Sequence, residues 1–64
     1  MNRAELLEAV DKALGGDREA LRMILKVVNN LRSQGYTYKD TAIFFKLDER
    51  DYETLIQLAE SYEL

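Results

Sequence analysis

Residues 35–59 read GYTYKDTAIFFKLDERDYETLIQLA, and this stretch decides the fold. Gly35 is a break. Thr37 follows as a helix-capping side chain, with Asp40 three residues on at the position of a capping box. Tyr38, Ala42 and Phe45 then share one helical face. After a short interruption at Lys46-Leu47, Asp48 supplies a second cap. Tyr52, Leu55, Ile56, Ala59 and Tyr62 recur behind it at helical spacing. The stretch predicts two short helices joined by a tight turn.

Working back toward the start, the same signals appear twice more. Asn2 caps a first helix, with Glu5 completing the box, and Leu6, Leu7, Val10 and Leu14 lie on one face. Gly15-Gly16 stops it. Asp17 caps a second helix whose main stripe is Leu21, Ile24, Leu25, Val28 and Leu31. Met23 and Val27 widen that stripe beyond one side, which predicts a central helix flanked by neighbours. No window alternates like a strand. The fold class is all-α, a small three- to four-helix bundle forming a single helical domain over residues 1–64.

Composition narrows the function. A chain of 64 residues buries only about 60% of its unfolded surface, so modest stability or self-association is expected. There is no cysteine and no histidine, which removes disulfides, thiolate metal sites and the commonest general base and zinc ligand. No metal site, cofactor or small-molecule substrate is expected. No apolar run approaches the roughly 20 residues of a membrane span. The charged start, MNRAE, does not read as a signal peptide, so a cytoplasmic protein is expected. Ser33, Ser61 and the threonines have no evident base beside them, and so small a domain has little room for a water-excluding pocket, so no enzyme is expected.

Residues 35–59 resemble a degenerate helix-turn-helix of the bacterial and phage regulator type. Gly35, Tyr36 and Thr37 match the opening of that motif, Ala42 its small residue, and Phe45 and Leu47 the apolar pair around its turn. Asp48 matches the cap of the recognition helix, and Tyr52 with Leu55 or Ile56 its core positions. The resemblance implies a helix-turn-helix-like C-terminal half and a role in transcription regulation. Three positions depart from it. Lys46 stands where the turn usually has glycine, which predicts an altered turn, since a left-handed residue other than glycine costs about 1 kcal/mol. Thr41 occupies a usually apolar position. Most consequentially, Asp48, Glu49, Asp51 and Glu53 crowd the first turn of the helix that would enter a DNA groove, with Arg50 alone among them.

Charge is therefore uneven. Residues 48–64 hold six acids and one base, a charge of −5, within a net charge of −3 for the chain. Residues 17–34 carry +2, with Arg18, Arg22 and Lys26 spaced by four along one stripe. Acids in a first helical turn also suit the helix dipole, and a basic stripe also suits a solvated face, so neither requires a partner. Ile43 and Phe44 lie where the motif is normally polar, and with Met23 and Val27 they form a candidate apolar contact patch.

Three functions follow as expectations. The first is a small regulatory protein acting by protein–protein contact, as an inhibitor, antirepressor or cofactor of a transcription or nucleic-acid-handling protein, or through a homodimer. Its partner site would be Met23, Val27, Ile43 and Phe44 with Asp48, Glu49, Asp51 and Glu53. The alternative is a dimeric DNA-binding regulator using Arg18, Arg22, Lys26, Lys39, Lys46 and Arg50. The third is a purely structural helical module.

Overall fold

Each helix begins at an oxygen-bearing side chain. In the computed structural model, which describes residues 2–64, the elements are α1 (Arg3–Leu14), α2 (Arg18–Ser33), α3 (Tyr38–Phe44) and α4 (Glu49–Ser61). Asn2, Asp17, Thr37 and Asp48 cap them, each accepting a hydrogen bond from the backbone N–H three residues on. These bonds satisfy amides that a helix start otherwise leaves open.

The four helices also end alike. The residue after each C-cap is left-handed: Gly16 at φ 95°, Gly35 at 99°, Lys46 at 58° and Glu63 at 59°. The next N–H then donates back across the turn, Asp17 to the Lys12 carbonyl, Tyr36 to Leu31, Leu47 to Ala42 and Leu64 to Ala59. This is the Schellman arrangement. Lys46 thus takes the left-handed conformation expected of glycine at this position. The two backbone bonds that close the turn, from Lys46 and Leu47, hold a lysine in a conformation that glycine would enter freely.

α2 is the central element and touches all three other helices. Ala20, Leu21, Ile24, Val28 and Leu31 turn inward from it. The first four meet Leu6, Ala9, Val10 and Ala13 of α1, Ala42 and Phe45 from the α3 region, and Tyr52 and Leu55 of α4. α4 runs back along α2: Tyr52 lies near the Arg32 charge at the end of α2, while Tyr62 reaches Gly16 just before its start. The Tyr62 hydroxyl donates to the Gly16 carbonyl at 2.8 Å.

Several positions differ from the sequence reading. On α1 the fully buried residues are Leu6, Ala9, Val10 and Ala13, whereas Leu7 and Leu14 are half-buried. Small side chains line the α1–α2 contact because two helix backbones approach most closely there. Tyr38 is not a core residue. It remains 39% exposed and lies edge-on against the buried Tyr52 ring, with centroids 4.6 Å apart. Thr41 takes an inward position instead, fully buried, and its hydroxyl donates to the Thr37 carbonyl at 2.8 Å. That bond lets a polar residue stand in an apolar position.

Candidate functional site

The acidic turn is built by the phase of α4. Tyr52, Leu55 and Ala59 face the core, which leaves Glu49, Asp51 and Glu53 exposed around the rest of the helix circumference. Asp48 is exposed as well, and its carboxylate accepts the Asp51 N–H at 2.8 Å. Glu53 accepts from the Gln57 amide at 3.2 Å. Arg50 is exposed among them. Among the described residues one ion pair forms, Lys12 to Glu8 at 3.7 Å on α1, so these four carboxylates are not neutralised by a bound side-chain cation.

The field of that turn reaches Tyr38 on α3. Partial burial raises the Tyr38 pKa above the ordinary tyrosine value, and the Glu53 and Glu49 carboxylates raise it further. An exposed aromatic edge therefore sits beside the acids, a feature absent from the sequence reading.

The apolar candidates separate. Ile43 is 61% exposed, on α3 just before the turn that leads to Asp48. Phe44 is half-buried rather than open, because the first helix covers it. The Arg3 guanidinium lies over its ring, 4.9 Å from the centroid, and donates to its backbone carbonyl. The ring also meets Tyr36 and Phe45 edge-on, at 6.5 and 5.3 Å. α3 has no basic residue in its last turn, so Arg3 supplies from α1 the positive charge that a helix C-terminus favours. Nothing in the sequence signals this pairing across 41 positions. Val27 and Phe44 line one groove together with Leu6, and Met23, one turn before Val27, is 39% exposed. Ile43 projects to solvent and lines neither this groove nor the one at Met23.

All six basic candidates are exposed, on three helices and a turn. Arg22 and Lys26 line a shallow groove with Leu25, Asn29 and Leu64. Arg18 lies one turn earlier on α2. Lys39 is on α3, Lys46 in the following turn and Arg50 on α4, outside that groove.

No family model, curated protein or solved structure matches this chain. Among the described residues no helix is long and apolar enough to cross a membrane, and no cluster of potential metal ligands forms.

Proposed function

We propose that this chain is a small cytoplasmic regulatory protein that acts by protein–protein contact, through a helix-turn-helix-like scaffold whose second helix is anionic. One observation carries the reading: Asp48, Glu49, Asp51 and Glu53 are all solvent-exposed at the start of α4. In a DNA-reading motif that turn enters the major groove. Duplex DNA presents a phosphate charge about every 1.7 Å of axis, and neutralising it supplies much of the affinity. Carboxylates there oppose the approach. The same carboxylates complement a cationic protein face, and fixed charge of this kind sets encounter rate and partner choice. Tyr38 adds exposed aromatic surface beside the acids, of the type that anchors contacts.

The test is a titration of the protein against a labelled random duplex at about 50 mM salt, where phosphate-driven binding is strongest. No anisotropy change is expected into the high micromolar range. Salt-sensitive binding at low micromolar protein would overturn the reading in favour of a DNA-binding regulator using the α2 stripe. A complementary arm uses Glu49→Lys with Glu53→Lys. This variant is expected to lose a protein partner that the unaltered chain retains from native lysate.

A further inference from the structure

A second surface lies along the seam between α1 and α2. Its first stretch has a floor of Ala9, Ala20 and Met23, and its rim carries Glu5, Glu8, Asp17 and Glu19. The cation within this stretch, Lys12, is paired with Glu8 at 3.7 Å. The second stretch is floored by Leu6, Val27 and Phe44, with Arg3 at its edge. Arg3 is committed to the Phe44 ring and carbonyl. Met23 and Val27 are one helical turn apart on α2, so the two stretches adjoin. Between Asp17 and Val27 the α2 axis rises about 15 Å, the length of roughly three helical turns.

We propose that this seam docks a basic amphipathic helix from a partner protein. A channel between two helices, with apolar side chains spaced by three or four along its floor, takes the apolar face of a third helix. The rim selects the charge of that helix. Three of the rim carboxylates, Glu5, Asp17 and Glu19, have no cation within ion-pair distance among the described residues, so lysines or arginines flanking an apolar stripe find them on arrival. The basic residues Arg22 and Lys26 line a separate groove beside Leu64. This surface is distinct from the acidic turn of α4 and does not depend on the function proposed for that turn.

The probe is a fluorescein-labelled leucine/lysine amphipathic peptide of about 12 residues, enough for roughly three turns. With the unaltered chain its anisotropy rises and the binding weakens as salt is added. Met23→Asp, and separately Glu5→Lys with Glu19→Lys, weaken it by about tenfold. All three positions are exposed, and circular dichroism checks that the variants keep their helices. Glu60→Gln, at an exposed position outside both surfaces, leaves the affinity unchanged, and the map of amide shifts separates this proposal from the previous one. Amide shift changes fall on residues 5–12 and 17–27. Shift changes centred on residues 48–53 would overturn the proposal. So would full binding by Met23→Asp, equal binding of a leucine/glutamate peptide, or no binding at all.

Discussion

Tyr52→Phe should stabilise the protein. Tyr52 is completely buried, yet its hydroxyl has no hydrogen-bond partner in the protein. Thr41 is close enough to lower the Tyr52 pKa somewhat, but the geometry between the two hydroxyls falls short of a hydrogen bond and the Tyr52 oxygen remains unbonded. An unsatisfied buried polar group costs about 1–3 kcal/mol, while the phenyl ring keeps the edge-on contact with Tyr38. Removing the oxygen leaves only a small void, so the net gain should be about 1 kcal/mol, or roughly 4–8 °C in Tm for a domain of this size. Urea unfolding followed by far-ultraviolet circular dichroism measures it. A loss of about 1 kcal/mol instead would mean that the hydroxyl is bonded in solution, and the reasoning would fail.

The same residue predicts a pH effect. Burial raises the Tyr52 pKa above its ordinary value of 10.0. The folded chain therefore holds the proton more tightly than the unfolded chain. The stability this contributes is complete below pH 10.0 and is lost as pH rises through the folded-state value. Tyr38 shifts in the same direction, so Tyr52→Phe should reduce the alkaline loss without abolishing it.

Other outcomes can be checked with the same unfolding assay. Tyr62→Phe should cost about 1 kcal/mol, the value of one net hydrogen bond, here the one to the Gly16 carbonyl. Gly16→Ala should cost at least about 1 kcal/mol, because the residue is left-handed and the new Cβ would stand 3.2 Å from the Tyr62 hydroxyl. Asp17→Ala should cost about 1 kcal/mol through the lost cap on Ala20, and Asp17→Asn should restore most of it. Phe45→Ala empties a site at 1% exposure, at a cost of about 3–5 kcal/mol. In so small a domain that should leave the chain largely unfolded, with loss of the cooperative transition.

Helix starts were legible because each depends on one local side chain. Asn2, Asp17, Thr37 and Asp48 announce themselves within three residues of the amides they bond. Helix ends were half legible. Gly16 and Gly35 are visible, whereas Lys46 and Glu63 enter the left-handed region only because the returning backbone bonds hold them there. Hydrophobicity misjudged α1, since it favours Leu7 and Leu14 over Ala9 and Ala13, while close helix approach selects the smaller residues. The acidic turn of α4 could be read directly, because its exposure follows from the phase of Tyr52 and Leu55. The cover over Phe44 could not, because Arg3 acts across the whole bundle.

The contact between Tyr62 and Gly16 has a bearing on how the molecule comes apart. It ties the end of the last helix to the first bend of the chain, so fraying of α4 from its C-terminus must first break this bond. Breaking it by Tyr62→Phe should therefore speed amide exchange near Gly16 as well as at the end of α4.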